Sequence, residues 1–193
     1  MKVFFTASQR GKSYFDFYYK KIFKIIKSLG YELIDDEIIS IPSKSFYETL
    51  EKEGKKGDKE LYKTNLKNIR EADINIFDCS MHSLSIGFMI DKSLELNKPT
   101  IALFLEEHDP HFLEGIEEDK LIIRSYTDTS LPKIIKESLN IARNKKDKRF
   151  NFFVTPNLLT YLEKESKKRN ITKSTFIRNL IFDHMHHNKE NDS

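Results

Sequence analysis

Short apolar runs alternating with amphipathic helical stretches constrain this chain more than any other feature. Val3-Phe4-Phe5-Thr6-Ala7 has the look of a buried strand, and Phe15, Tyr18, Tyr19, Ile22, Phe23, Ile26 and Leu29 then recur at spacings of three and four. That spacing draws one broad apolar stripe along a helix, which Gly30 ends. Tyr31 to Ile39 reads as a second strand, and residues 41–60, with Pro42, Gly54 and Gly57 among many lysines, as a loop holding at most one helical turn. The Lys/Gly/Glu-rich part at 51–60 reads as solvated and mobile. Helix is expected over Leu61 to Glu71, strand over Ile74 to Asp78, helix over Ser83 to Leu96, strands over Pro99 to Phe104 and Lys120 to Arg124, and helix over Leu131 to Arg143. Alternation of this kind builds right-handed βαβ units on a parallel sheet covered on both faces. The expectation is an α/β fold whose five-stranded, doubly wound sheet runs in the order 2-1-3-4-5. Ligand then binds at the carboxyl ends of strands one and three, where the order reverses.

After the charged stretch at 144–149 the pattern changes. Phe150 to Val154 reads as a strand, Thr155-Pro156 leads into a helix carrying Leu158, Leu159 and Leu162, and Thr172 caps a second helix with Phe176, Ile177, Leu180 and Ile181. The expected organisation is a body over 1–143, a linker over 144–149 and a small unit over 150–193. A strand and two helices cannot bury a core alone, so the unit is expected to pair with a second copy, giving a homodimer or a dimer of dimers. Charge follows the same division. Residues 144–193 hold 11 Lys+Arg against 6 Asp+Glu, which leaves 22 (33 less 11) against 24 (30 less 6) in residues 1–143. A basic end on a slightly acidic body points to a polyanion as the partner of that end.

The single cysteine, Cys79, allows no internal disulfide, no apolar run reaches the roughly 20 residues of a membrane helix, and Met1 leads directly into a strand-like run. The expectation is a cytoplasmic chain with no membrane partner, no cofactor and no metal; the run Asp183-His184-Met185-His186-His187 sits in a polar end and is not read as a metal site.

Two segments carry candidate chemistry in the body. Ser8-Gln9-Arg10-Gly11 offers a hydroxyl, a guanidinium and a close-approach glycine at a strand end, the parts of an anion cradle. Ser83-Leu84-Ser85-Ile86-Gly87 offers hydroxyls and amides at a helix N-terminus, where the helix dipole also favours phosphate. Together they point to a phosphorylated ligand.

Over roughly residues 1–105 the chain resembles the nucleoside 2-deoxyribosyltransferase-like family, and within it most the 2′-deoxynucleoside 5′-phosphate N-hydrolases. The resemblance rests on Thr6-Ala7-Ser8-Gln9-Arg10-Gly11, on Leu66 with Ile69-Arg70-Glu71-Ala72-Asp73, and on Asp78 with Ser83-Leu84-Ser85-Ile86-Gly87-Phe88. It implies that Ser8, Arg10, Gly11 and Ser83 hold a 5′-phosphate and sugar, with Asn65, Asp78, Gly87 and Met89 completing a nucleotide site. It also exposes two departures. The family's nucleophilic Glu falls on Met89 and its sugar-orienting Asp on Asn65, so neither position can supply a carboxylate. Asp78 is the nearby acid that remains. The expectation is a body that binds a nucleotide or nucleoside without cleaving it by the family route and with no catalytic residue assigned. The alternative is an active N-glycosidase or deoxyribosyltransferase on deoxynucleosides or their 5′-monophosphates, its C-terminal unit serving for dimerisation.

Residues 148–187 resemble the ribbon-helix-helix DNA-binding family. That resemblance implies base contacts from the outward ribbon residues Arg149, Asn151 and Phe153, and a phosphate clamp from Thr172, Lys173 and Ser174. Together the two resemblances describe a DNA-binding regulator with a degenerate nucleotide-binding body.

Overall fold

The computed structural model describes residues 1–145 and 152–191, with side chains through His184. Five strands form one all-parallel sheet: β1 (Lys2–Ala7), β2 (Glu32–Leu33), β3 (Ile74–Asp78), β4 (Thr100–Leu105) and β5 (Leu121–Tyr126), in the order β2-β1-β3-β4-β5. This is the expected doubly wound arrangement. β3 is buried at every position, as suits a central strand covered on both faces.

Strand alternation sorts the core into two layers. Val3, Phe5, Ile74, Ile76, Ile101 and Leu103 pack on one face against α1 (Lys12–Ser28) and α6 (Leu131–Asn144). Phe4, Phe77, Ala102 and Phe104 pack on the other with α3 (Ser43–Glu71), α4 (Leu84–Glu95) and α5 (His111–Glu114). Helix α1 buries Phe15, Tyr19, Ile22 and Ile26, four members of its apolar stripe, and closes with Tyr31 N donating to Ile26 O around Gly30.

Three readings of the chain between β1 and β3 are corrected. The strand read over Tyr31 to Ile39 is only two residues long, and the rest turns into α2 (Glu37–Ser40). Asp36 is the reason: its carbonyl accepts from Ile39 N and Ser40 N, both at 2.8 Å, and its carboxylate accepts from Ser40 Oγ. The loop read over 41–60 is helical from Ser43 onward, in one long α3. Lysine and glutamate are good helix formers, and pairs such as Lys44–Glu48 and Lys63–Glu60 line its surface. Of the two glycines taken as breakers, Gly57 is helical and buried, and Gly54 alone leaves helical geometry, with φ 52° and ψ −140°, to make a kink. The short α5 was not expected from the sequence.

The chain divides by internal contacts into Met1–Asp147 and Lys148–Ser193. In the second unit α7 (Pro156–Lys168) is capped by Thr155, whose side chain accepts from Leu158 N. It is followed by α8 (Lys173–Asn191), where Thr172 Oγ1 accepts from Thr175 N at 3.1 Å. Leu162 and Phe176 are buried between the two helices, and the Arg169 guanidinium lies 4.9 Å from the Phe176 ring centre. The strand read over Phe150 to Val154 falls partly outside the described residues, and 152–155 are not in a strand.

Candidate functional site

The parallel register of β1 and β3, with Ala7 opposite Asp78, sets the segments after both strands side by side. A cleft of about 500 Å³ opens there on the α3/α4 side of the sheet. Its floor is Phe4 and Thr6 of β1, its rim the Ser8–Arg10 turn and the start of α4, and its far wall α2 with the cleft-facing residues of α3.

Of the residues singled out from the sequence, Ser8, Arg10, Asn65, Ser83 and Met89 line this one cleft. Arg10 is exposed and among the described residues has no ion-pair partner, leaving its guanidinium free for an anion. Ser83 precedes α4 without capping it by its side chain, so its hydroxyl is not consumed as a helix cap. Asn65 spends its amide on Leu61 O at 2.9 Å, one turn back in α3. Gln9 adds a side-chain oxygen that is buried and unpartnered among the described residues.

Gly11, Gly87 and Asp78 do not line the cleft. Gly11 sits where a Cβ would come within 2.2 Å of the Tyr19 hydroxyl and 2.9 Å of Met81 Cβ, so its place there is one of close packing. Gly87 faces an apolar pocket between α4 and α5. Asp78 follows the strand parity of Ile74 and Ile76 and therefore points to the α1/α6 side. There it is fully buried, accepting from the Tyr126 hydroxyl at 2.6 Å and from Ser80 N at 3.0 Å. Burial pushes its pKa up to about 6 against the pull of those hydrogen bonds. The same burial, with the Asp78 charge beside them, pushes the Tyr19, Tyr126 and Cys79 groups up, so none of these is an activated nucleophile.

Sequence reading missed the cleft's own acid. Asp35, two residues past the end of β2, lines the cleft and accepts a hydrogen bond from Asn68 Nδ2 of α3. Burial, with Glu37 and Asp36 alongside, raises its pKa to about 6. The signal was present in the rule that ligands meet the carboxyl ends of strands, but reading a strand straight through Asp35 and Asp36 hid that end. His82 and Tyr47 also line the cleft and were not singled out.

In the second unit, Phe153 is fully exposed and Thr172 is the α8 cap, while Lys173 pairs with Glu163 at 2.8 Å and Ser174 is exposed. Arg149 and Asn151 lie outside the described residues. No helix among the described residues is long and apolar enough to cross a membrane.

No protein-family profile matches the chain. Among curated proteins it is 32% identical over 104 residues to one from Syntrophotalea carbinolica named "Putative 2′-deoxynucleoside 5′-phosphate N-hydrolase 1", covering 54% of this chain and 68% of that protein. It is 27% identical over 131 residues to a protein of the same name from Thermofilum pendens, covering 66% of this chain and 87% of that one. Among solved structures, the Clostridium botulinum CMP N-glycosidase BcmB superposes with a TM-score of 0.47 at 15% identity, over 71% of this chain and 97% of that one, a likeness too slight to bear on the chemistry.

Proposed function

The chain belongs to the nucleoside 2-deoxyribosyltransferase-like family, and from that premise we propose that its cleft binds a 2′-deoxynucleoside 5′-monophosphate and hydrolyses the N-glycosidic bond. The observation that carries this reading is the convergence of Arg10, Ser8 and Ser83 on one cleft at the carboxyl ends of β1 and β3. A guanidinium with no ion-pair partner among the described residues, two hydroxyls and the amides at the start of α4 suit a phosphate monoester in charge and hydrogen-bonding chemistry. Anchoring the phosphate at that rim would set the sugar between it and the α3 wall, with the base toward the apolar side chains of α3.

Met89 and Asn65 decide the route. At the two positions where the family resemblance puts acids, neither side chain is a carboxylate, so no glycosyl-carboxylate forms there and water is the attacking group. The binding-only regulator is the weaker reading, because both curated relatives carry the name of a hydrolase.

The test is incubation with the four 2′-deoxynucleoside 5′-monophosphates and chromatography of the products. Free base and 2-deoxyribose 5-phosphate are expected in equal amounts. Arg10→Ala is expected to raise KM for the monophosphate at least tenfold and to leave turnover of the unphosphorylated nucleoside unchanged. Equal loss on both would remove Arg10 as the phosphate ligand.

For the second unit we propose pairing with a second copy as a ribbon-helix-helix dimer that binds DNA. Supporting this is the half-exposure of Leu158, Leu159, Leu180, Ile181 and Phe182 on a helix pair in which, among the described residues, only Leu162 and Phe176 of the large apolar side chains are buried. The Thr172 cap leaves the first amides of α8 available for a DNA phosphate, as the resemblance implies. Gel-shift affinity is expected to fall steeply as salt rises; binding absent at low salt would leave the unit a dimerisation device alone.

A further inference from the structure

N-glycoside hydrolysis by direct attack needs a group to take a proton from water, and the cleft holds two carboxylates, Asp35 and Glu37. Glu37 is exposed in the first turn of α2. Asp35 is half-buried and held by the Asn68 amide of α3, with the backbone N–H of Glu37 beside it. Fixed carboxylates suit proton transfer, because the reacting geometry is set before substrate arrives. We propose that Asp35 is the general base of this cleft, oriented by Asn68, an assignment that rests on reading the cleft as a nucleotide N-glycosidase site.

In the step, Asp35 takes one proton from a water molecule as the water oxygen forms a bond to C1′. The C1′–N bond breaks and its electron pair leaves with the base. The base nitrogen then receives the proton held by Asp35, directly or through solvent, which restores the carboxylate. Nucleoside monophosphate and water have become pentose 5-phosphate and free base, with no external reactant.

The charges around Asp35 fit a base that works near neutrality. Glu37 and Asp36 flank it on its own segment and, with burial, raise its pKa to about 6, while Asn68 on the facing helix is neutral. Arg10, His82 and Tyr47 are the other charged or titratable groups lining the cleft. A carboxylate with its pKa raised to that level is still about nine-tenths ionised at pH 7 and is a stronger base than an ordinary aspartate.

The experiment is steady-state base release from the four 2′-deoxynucleoside 5′-monophosphates over pH 5–8, with wild type, Asp35→Asn and Asn68→Ala, each checked by thermal melting. Asp35→Asn is expected to lower kcat about 100-fold or more with KM within about threefold of wild type. Wild-type kcat is expected to rise through an acidic limb near pH 6 and then level, a limb missing from any residual activity of Asp35→Asn and displaced in Asn68→Ala. Retention of more than a fifth of kcat in Asp35→Asn overturns the assignment while leaving the hydrolase reading intact. If that variant fails to fold, the wild-type profile decides alone: a flat response across pH 5–8 overturns it. A sugar adduct on the wild-type protein in intact mass spectra also overturns it, because a covalent intermediate needs a nucleophile and not a base. Monophosphate binding without base release from wild type defeats the hydrolase reading itself, and the assignment with it.

Discussion

At the residue scale, Asp78 and Asp35, both with raised pKa, differ in what surrounds them. Asp78 lies on the buried α1/α6 side with Tyr126 and Ser80, where no ligand is in reach, and its ionisation works against the fold. Its pKa is raised from 3.8 to about 6 on folding, so the native state holds the proton more tightly than the unfolded chain does. Stability from this group is therefore fully present below the lower value and falls as pH rises through the upper one. Asp78→Asn is expected to flatten that part of the stability profile and to raise stability at pH 8 by on the order of 1–3 kcal/mol, read from urea melts at pH 4 and pH 8. An unchanged slope would mean that Asp78 stays ionised in the fold. At Gly11 the issue is space alone. Gly11→Ala drives a Cβ against the Tyr19 hydroxyl and Met81, and is expected to cost about 1–3 kcal/mol in the same melts. The arginine and serines of the rim were legible from the sequence because their residue types suit an anion wherever they stand at a strand end. Asp35 was not, since only the fold reveals that its strand stops two residues earlier and turns it inward.

Among the elements, α3 most separates sequence reading from structure. Glycines and a proline in a lysine-rich stretch ordinarily mark a loop, yet Pro42 stands just before the helix and Gly57 sits inside it. What the composition concealed is that the segment faces the cleft with Phe46, Tyr47, Leu50 and Leu61, apolar residues that give a charged helix something to cover. Gly54 keeps the two halves at an angle through a backbone conformation that side chains disfavour. Gly54→Ala is expected to cost about 1–3 kcal/mol of stability and, because Tyr47 and Leu50 come from the first half of α3, to raise KM more than it lowers kcat. A stability change with unaltered KM would separate the kink from the shape of the cleft. By contrast β1, β3, β4, α1 and α4 were read closely, since each carries its period plainly and is bounded by clear stops.

For the whole molecule, the parallel sheet in the order β2-β1-β3-β4-β5 dictates that the site lies where β1 and β3 part company, and there the cleft is found. Alternation of strands and helices with right-handed crossovers gave the doubly wound class, and 2-1-3-4-5 was the order expected within it for five strands. The second unit was legible only as two capped helices. Its proposed pairing needs a second copy, which a single chain does not display. Sedimentation is expected to give a dimer or a dimer of dimers, and Leu180→Asp with Ile181→Asp to reduce it to monomer while base release per chain stays within about twofold. Activity lost along with assembly would mean that the site needs residues from a second copy.

The central claim is that a cleft without a carboxylate at positions 65 or 89 still breaks an N-glycosidic bond. A proton NMR time course of the purified full chain with 2′-deoxynucleoside 5′-monophosphates follows the anomeric signal directly. Its conversion to that of free 2-deoxyribose 5-phosphate, slowed about 100-fold or more in Asp35→Asn, is the expected result; nucleotide recovered intact after prolonged incubation with stoichiometric protein would contradict the account.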